Sequence, residues 1–261
     1  MDMSSVRGAT ILEQEFNLAS IFNSIEAFDW QKIETQRWAV TESGEIGGYG
    51  PIEADVLFAF LLAKRPRKVV QVGCGVSTSI ILRAAKYGNF LTELVCVDPY
   101  PSDYLKNLAK TGDIVLASER AECVNFELFS GLDPGDLLFI DSTHCVRPGG
   151  DVNRLILCVL PKLNDGVFVH FHDIYFPYDY QRGILADELF FQSESTLLHA
   201  YLSNNTKYRI LFSLSQIHYG SPNLLRSYLP HYSPQLNADG LAASECGHFP
   251  SSTYLVSGLP R

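Results

Sequence analysis

The sequence predicts a doubly wound α/β fold in which a mainly parallel sheet is covered by helices on both faces. Short apolar strands alternate along the chain with helical stretches, which is the pattern of successive βαβ units. The strands are continuous apolar runs rather than alternating ones, as in ELVCVD at 93–98 and LLFID at 137–141. Strands of this kind are buried on both faces, which is typical of parallel sheets between two layers of helices.

The first predicted element is a helix that begins at Gly50-Pro51 and runs to about Lys64. Proline fits the first helical position, and Glu53 and Asp55 place negative charge near the helix N-terminus, where the helix dipole favours it. The remaining predicted strands are 68–73, 93–98, 113–118, 137–141, 166–172, 208–214 and 252–257, and the remaining helices are 77–87, 102–110, 152–160 and 186–202.

Two regions flank or interrupt this pattern. Residues 1–50 are predicted to form an N-terminal helical extension that either closes the pocket or makes a homodimer contact. Residues 51–261 are predicted to be one domain, with a long insert at 215–250 before the last strand. Loops of this length are commonly functional, so the insert is predicted to be an ordered lid over the substrate. Its candidate substrate residues are Tyr219, Tyr228, His231 and Tyr232.

Composition excludes several classes of partner. The formal net charge is −9, and the only basic run is at 64–68, so nucleic acid is not an expected partner. The longest apolar run, VLFAFLLA at 56–63, is too short to span a bilayer, and the N-terminus lacks an apolar signal segment. The six cysteines form no CxxC pair and are predicted to be buried free thiols. We therefore expect a cytoplasmic protein that does not bind membranes.

The motif VVQVGCGVST predicts a ligand site at the end of the first strand. In doubly wound sheets, ligands bind beyond the carboxyl ends of the strands, where the strand order reverses. Gly73 and Gly75 lie in this turn, and their missing side chains would let an adenosine-bearing ligand approach the backbone. Asp98 ends the second strand and can accept hydrogen bonds from ribose hydroxyls. The alternative interpretation is a tight turn followed by a helix-capping aspartate.

Two features favour S-adenosylmethionine over a nicotinamide dinucleotide as this ligand. Thr78 stands where the dinucleotide fingerprint has its third glycine, which packs the helix closely beside the pyrophosphate. No tyrosine is followed four residues later by lysine, so one common dehydrogenase pair is missing. An NAD-dependent oxidoreductase and a catalytically silent adenosyl-ligand-binding protein remain as alternative functions.

Several motifs in fixed order resemble a bacterial branch of the class I S-adenosylmethionine-dependent methyltransferases, often called methyltransferase family 24. They are QVGCGVST, CVDPYP, GDLLFIDSTH, PGGDVN and GVFVHFHDIYFPYDY. The resemblance implies a class I methyltransferase domain over 51–261, with a Rossmann-like seven-stranded sheet whose last strand is antiparallel in a hairpin with its predecessor. It implies methyl transfer, with O-methylation favoured, to a small-molecule acceptor such as a saccharide or natural product.

The resemblance also implies which residues bind the cofactor. Gln71 departs from the acidic residue usual at its position, and Glu122 with Cys123 are the candidates for adenine contacts after the third strand. The full set of expected cofactor residues is Gln71, Gly73, Gly75, Ser77, Thr78, Asp98, Glu122 and Asp141.

Acids and histidines follow the fourth and fifth strands. Asp141 ends one strand and His172-Asp173 end the next, and neighbouring strands lie about 5 Å apart, so these side chains can meet. His144 lies three residues beyond Asp141, whereas His170, deeper in the strand, is interpreted as a core histidine. We call Asp141, His144, His172 and Asp173 the His/Asp cluster.

Three interpretations of the His/Asp cluster remain open. In the first, His144 or His172 is a general base oriented by an aspartate, since imidazole titrates near neutral pH. In the second, Asp141, His172 and Asp173 bind a divalent metal, resembling the magnesium site of catechol-type O-methyltransferases. The histidine would then favour Mn, Fe or Zn. In the third, the groups only satisfy one another's hydrogen bonds.

Overall fold

The computed structural model describes residues 49–178, 180, 192–229, 232, 235–237, 240–242 and 250–258. The predicted N-terminal extension lies outside the described residues except for Tyr49 and Gly50. His231 and the first part of the helix predicted at 186–202 also lie outside them.

The described elements follow the predicted alternation of strands and helices. The helices are α1 (Pro51–Lys64), α2 (Val76–Gly88), α3 (Asp103–Thr111), α4 (Glu127–Ser130), α5 (Asp151–Asn153), α6 (Glu194–Leu202), α7 (Leu214–Gly220) and α8 (Pro222–Tyr228). The strands are β1 (Lys68–Val72), β2 (Glu93–Val97), β3 (Val115–Ala117), β4 (Leu137–Ile140), β5 (Phe168–Phe171), β6 (Tyr208–Ser213), β7 (Gln235–Asn237), β8 (Gly240–Ala242) and β9 (Thr253–Ser257).

Seven of the strands form one sheet in the order β3-β2-β1-β4-β5-β9-β6. The pairs β1–β2, β1–β4, β2–β3 and β4–β5 are parallel. Strand β9 lies between β5 and β6 and is antiparallel to both. The predicted seven-stranded Rossmann-like sheet with an antiparallel last strand is therefore confirmed.

The strand register brings four chain segments to one edge of the sheet, which we call the carboxyl edge. Val72 of β1 is the register partner of Val97 and of Ile140, and Ile140 is in turn the partner of Phe171. The chain leaves β1, β2, β4 and β5 at the same level, and β1 is the strand at which the order reverses. Residues 73, 98, 141 and 172 therefore emerge side by side.

Two layers of apolar side chains cover the sheet. Residues of α1, α2, α7 and α8 pack on one face, where Ile52, Phe60, Ile81 and Leu225 are fully or almost fully buried. Residues of α4, α5 and α6 pack on the other face around Leu138, Phe129, Leu155 and Leu198. Burial of both faces explains why the strands are continuous apolar runs.

The predicted helix at 152–160 is not a regular α-helix. One α-helical turn, α5, continues as a π-helical turn at Arg154–Val159 and a 3₁₀ turn at Leu160–Lys162. Pro161 lies in the last turn, where it donates no backbone hydrogen bond. The apolar pattern of so short a segment predicts a helix but does not show whether its turns are α, π or 3₁₀.

The insert at 215–250 contains short elements that the sequence analysis did not predict. Helices α7 and α8 fill its first part, and β7 and β8 form a separate two-stranded antiparallel sheet. Ile217, Leu225, Leu229 and Tyr232 are buried in the hydrophobic layer beside α1. Each helix has only seven residues, which is too short for a helical period to be recognised. These four side chains of the insert therefore belong to the core.

The cysteines that the structure describes form no disulfide bonds. Cys74, Cys96, Cys123, Cys145 and Cys158 are free, and Cys246 lies outside the described residues. Cys96 is buried, Cys123 is exposed and the other three are half-buried, so the predicted burial is correct only for Cys96. Within the described part of the chain, no helix is long and apolar enough to cross a membrane.

Candidate functional site

The turn after β1 approaches the end of β4 so closely that only glycine fits. Gly73 has a φ of +77°, and its amide donates a hydrogen bond to the carbonyl oxygen of Val97 at 3.1 Å. A Cβ at Gly73 would lie 1.8 Å from the carbonyl oxygen of Asp141. The missing side chain was predicted to make room for a ligand, whereas the protein's own backbone occupies the space at Gly73.

Three of the expected cofactor residues hold this turn from within. Gln71 donates through Nε2 to Ser77 Oγ at 2.8 Å and to the carbonyl oxygen of Gly73 at 3.0 Å. Its Oε1 accepts from Thr78 Oγ1 at 3.0 Å, and Thr78 Oγ1 accepts from the amide of Gly75 at 3.1 Å. The side chains of Gln71, Ser77 and Thr78 are buried. An uncharged amide suits Gln71 because it both donates and accepts in this network.

Asp98 lies at the carboxyl edge beside the glycine turn. Its Oδ2 accepts from the amide of Cys74 at 3.3 Å and its Oδ1 from the amide of Tyr100 at 2.8 Å. Each carboxylate oxygen can accept a further hydrogen bond, so the half-buried side chain can still bind hydroxyl groups. Glu122, half-buried, and Cys123, exposed, follow β3, the strand next to that of Asp98.

The structure brings together all four residues of the His/Asp cluster. Asp141 Oδ1 lies 3.2 Å from His144 Nε2 and 3.3 Å from His172 Nδ1. Asp173 Oδ2 lies 3.6 Å from His144 Nε2 and 3.7 Å from His172 Nδ1. Both imidazoles are buried, whereas the two aspartate side chains are 26% and 28% exposed. The cluster therefore faces the surface through its carboxylates.

Glu194 is a member of the site that sequence reasoning missed. Its Oε2 lies 2.8 Å from His144 Nδ1, and its Oε1 accepts a hydrogen bond from Ser142 Oγ at 3.1 Å. The side chain is 0% exposed. Glu194 is the first residue of α6 and is separated from His144 by 50 positions. The sequence signal at this position is that of an acidic first helical turn, which does not point to a site.

The loop after β4 is held on two sides. Thr143 donates from its backbone N and its Oγ1 to the carboxylate of Asp151, at 2.9 and 2.7 Å. The carbonyl oxygen of His144 accepts from the amides of Ser193 and Glu194 at 2.8 and 3.1 Å. His144 has a φ of +57°, a left-handed conformation that is uncommon outside glycine. These hydrogen bonds maintain a backbone conformation that costs on the order of 1 kcal/mol or more.

Asp173 has the same kind of backbone conformation on the other side of the cluster. Its φ is +53°, and its Oδ1 accepts a hydrogen bond from Ser251 Oγ at 3.0 Å. The amide of Ser251 in turn donates to the buried carboxylate of Glu53 at 2.8 Å. The segment that leads into β9 and helix α1 therefore help to position Asp173.

The protonation of the His/Asp cluster is set by its internal charges. Burial acts to lower the pKa of His172, but the charges of Asp141 and Asp173 outweigh it and raise the pKa to about 9. Burial also acts to lower the pKa of His144, but hydrogen bonds to Asp141 and Glu194 outweigh it and the pKa lies well above 6.5. Burial acts to raise the pKa of Asp141, but the two histidines lower it below its ordinary value. At neutral pH His172 is therefore cationic and Asp141 is ionised, and the pKa of His144 is shifted in the same direction as that of His172.

Three of these side chains could also hold a metal ion. The ligand atoms of Asp141, His144 and His172 all lie within 4.8 Å of one another. The predicted metal set contained Asp173 where this group has His144. A mixed nitrogen and oxygen donor set suits Mn, Fe or Zn better than Mg. Metal binding would require both histidines to release a proton.

His170 belongs to the core beneath the cluster. It is fully buried, and its ring stacks on Phe139 with centroids 4.4 Å apart. Its Nε2 lies 3.5 Å from the hydroxyl of Tyr49. Burial and the nearby His172 charge hold the pKa of His170 well below 6.5. These contacts agree with its interpretation as a core histidine.

The aromatic residues of the insert have different environments. Tyr232 is buried, and its hydroxyl lies 2.7 Å from His218 Nδ1. Tyr228 is half-buried against the hydrophobic layer beside α1. Tyr219 packs edge-on against Tyr178, with ring centroids 4.7 Å apart. Tyr178 lies in the loop that begins at Asp173, so Tyr219 is the insert aromatic that the described contacts connect to the loop after β5.

The central part of the chain is similar to a known protein family. Residues 70–174 match the family model described as a methyltransferase domain. This range contains every expected cofactor residue and the whole His/Asp cluster, whereas Glu194 and the insert lie outside it.

Individual relatives are distant. An uncharacterized protein of Archaeoglobus fulgidus is 30% identical over 95 residues, which is 36% of this chain and 43% of that protein. The chain thus matches less than half the length of this relative. A SAM-dependent O-methyltransferase of Thermotoga maritima is 12% identical with a TM-score of 0.48, over 87% of this chain and 72% of that one. An O-methyltransferase of Bacillus cereus in complex with SAH is 10% identical with a TM-score of 0.46, over 88% and 91% of the two chains.

Proposed function

We propose that the chain transfers a methyl group from S-adenosylmethionine to an oxygen atom of a small-molecule acceptor, in the class of saccharides and natural products. The proposal is supported by the match of residues 70–174 to a methyltransferase domain. The observation that carries the proposal is the arrangement at the carboxyl edge. Asp98 and the His/Asp cluster lie on opposite sides of Gly73, whose backbone contacts that of Asp141.

The residues around Gly73 fit an adenosyl ligand. The Asp98 carboxylate keeps free lone pairs for the ribose hydroxyls after accepting two backbone amides. The network of Gln71, Ser77 and Thr78 keeps the turn rigid, so little ordering of the turn is needed on binding. S-adenosylmethionine supplies an electrophilic methyl group on a sulfonium that is a good leaving group. The tasks left to the protein are to align the acceptor and to remove its proton.

We assign the proton transfer to His144. Its Nδ1 is engaged by Glu194, while its Nε2 is directed toward Asp141 and Asp173, the two partly exposed members of the cluster. In its neutral form, Nε2 can accept the proton of an acceptor hydroxyl. The resulting imidazolium is stabilised by Asp141, whose carboxylate lies 3.2 Å away. His172 adds a second positive charge that keeps Asp141 ionised.

A metal-assisted reaction is the second candidate, because the ligand atoms of Asp141, His144 and His172 converge within 4.8 Å. A divalent cation bound there would lower the pKa of an acceptor hydroxyl by coordinating its oxygen. The chain's contribution would then be to hold the acceptor and the ion together. Chelation distinguishes this candidate from a histidine base.

The proposed function is tested in two steps. Calorimetry measures binding of S-adenosylmethionine and its demethylated product to the purified chain, and a dissociation constant in the micromolar range is expected. The chain is then incubated with methyl-labelled cofactor and libraries of hydroxylated small molecules, and labelled products are identified by mass spectrometry. A folded chain that binds neither form of the cofactor would overturn the proposal.

A further inference from the structure

The carboxylate of Glu194 is buried and is directed at the proposed catalytic histidine. The side chain is 0% exposed, and its two oxygens contact His144 Nδ1 at 2.8 Å and Ser142 Oγ at 3.1 Å. A fully buried carboxylate is costly to desolvate and is normally retained only with close hydrogen-bonding partners. Burial raises the pKa of Glu194, against the opposing effect of His144. Ser142 and His144, the two hydrogen-bonding partners of Glu194, both belong to the loop that follows β4.

The hydrogen bond to Glu194 decides which nitrogen of His144 faces the site. An imidazole has two nitrogens, and the partner of one determines the role of the other. With Nδ1 donating to Glu194, Nε2 is left 3.2 Å from Asp141 Oδ1 and 3.6 Å from Asp173 Oδ2. A neutral His144 that keeps its proton on Nδ1, the nitrogen with the shorter contact to a carboxylate, would present the lone pair of Nε2 toward the carboxyl edge.

The backbone around Glu194 holds the same histidine. The amides of Ser193 and Glu194 donate to the carbonyl oxygen of His144 at 2.8 and 3.1 Å. Ser193 Oγ accepts from the amide of Val146 at 2.9 Å. The start of α6 therefore maintains both the left-handed backbone and the ring orientation of His144, although it lies outside the matched domain at 70–174.

We propose that Glu194 is a positioning residue for methyl transfer, which acts by holding His144 through Nδ1 so that Nε2 faces Asp141, Asp173 and the acceptor. This inference rests on the proposed function for its catalytic consequence, but not for the orientation of the ring. The same orientation would serve His144 as a base or as a metal ligand, because both roles require the Nε2 lone pair at the carboxyl edge.

The test compares Glu194→Ala, Glu194→Gln and the matched control Asp136→Asn. Glutamine retains an oxygen that can accept from Nδ1, whereas alanine removes it. Asp136 is also a buried carboxylate with two hydrogen bonds, from the amides of Lys68 and Asp133, but it lies at the opposite edge of the sheet. Asp136→Asn therefore reports what the loss of a buried structural carboxylate does by itself.

The first readout is the ring of His144, observed by nuclear magnetic resonance of the full chain with ¹⁵N-labelled histidine. The wild type should show a protonated, hydrogen-bonded Nδ1, assigned by its loss in His144→Gln. Glu194→Gln should retain this signal and Glu194→Ala should lose it, while Asp136→Asn leaves it unchanged. An unchanged Nδ1 signal in Glu194→Ala would overturn the proposal, whether or not the chain transfers methyl groups.

The second readout is the kinetics of transfer to an acceptor found in the library screen. Glu194→Ala should lower kcat by about tenfold or more with cofactor affinity retained within about threefold, because the hydrogen bond to a charged group is lost at His144 and not at Asp98. Glu194→Gln should recover most of kcat. Equal losses of kcat in Glu194→Ala and Asp136→Asn at matched thermal stability would reject the positioning role. If the wild type binds no cofactor and transfers nothing, the proposed function fails, and the ring signal alone decides the role of Glu194.

Discussion

The carbonyl oxygen of Asp141 occupies the space that a side chain at Gly73 would need, since a Cβ there would lie 1.8 Å from it. The end of β4 and the turn after β1 are therefore fitted to each other through backbone atoms alone. The contact joins the proposed cofactor turn to the first residue of the His/Asp cluster.

The first prediction follows from this contact. Gly73→Ala should destabilise the fold by several kcal/mol and abolish cofactor binding, because the methyl group must displace backbone at a φ of +77°. Gly112→Ala is the matched control, since Gly112 has a φ of +82° and a Cβ there meets no heavy atom within 4 Å. Gly112→Ala should lower the free energy of unfolding by only about 1 kcal/mol. Denaturant unfolding measures the free energy of unfolding of both variants. Equal losses would show that the positive φ, and not the contact with the Asp141 carbonyl oxygen, causes the destabilisation.

Asp98→Ala should weaken binding of S-adenosylmethionine by about tenfold or more, since a hydrogen bond to a charged group typically contributes about 1.5–3 kcal/mol. Calorimetry at constant pH measures the change. Asp103→Ala is the control, because the Asp103 side chain is 93% exposed at the start of α3. Equal affinity of wild type and Asp98→Ala would exclude the ribose role of Asp98.

The proposed base makes transfer dependent on pH. Burial acts to lower the pKa of the proposed base, His144, but hydrogen bonds to Asp141 and Glu194 outweigh it and raise the pKa well above 6.5. Only the deprotonated base accepts a proton, so kcat/KM should rise with pH through an apparent pKa above 6.5. His144→Gln should lower kcat/KM by about 10²-fold or more and remove this rise. A profile that is flat between pH 7 and 10 in the wild type would contradict the assignment.

Chelation separates the two candidate mechanisms. With a histidine base, turnover should remain within about threefold of its initial value after exhaustive treatment with EDTA. Loss of turnover that Mn²⁺, Fe²⁺ or Zn²⁺ restores would establish the metal-assisted reaction instead. In that case Asp141→Asn should weaken metal binding in calorimetry, while the same substitution at the distant Asp136 should not.

Stability should fall as the pH rises above neutrality. The pKa of His172 in the folded chain is about 9, above the 6.5 expected when unfolded, so its contribution is complete below pH 6.5 and is lost as the pH rises through 9. This difference between the folded and unfolded pKa of His172 corresponds to at most about 3 kcal/mol of the free energy of unfolding. Thermal unfolding from pH 6 to 10 measures it, and His172→Gln should show a smaller decrease in Tm than the wild type. Parallel curves for the two proteins would show that His172 does not cause the decrease.

Much of the site follows from local sequence patterns. Apolar runs and helix signals predicted the order of strands and helices, because burial on both faces and helix capping are properties of short segments. The meeting of Asp141 with His172 and Asp173 was also predicted, since consecutive parallel strands end at the same edge and neighbouring strands are about 5 Å apart. The antiparallel pairing of β9 with β6 was implied by the family resemblance and not by the residues of β9 themselves, whereas its position between β5 and β6 is shown only by the structure.

Tertiary structure alone decided how these residues are used. Glu194 reaches His144 across 50 positions, and the amides at the start of α6 maintain the left-handed backbone of His144. Gly73 is required by a carbonyl oxygen on another strand, and Gln71 is explained by its bonds to Ser77 and Thr78. No local pattern contains such information, because the burial of a carboxylate and the approach of two backbones exist only once distant segments have packed together.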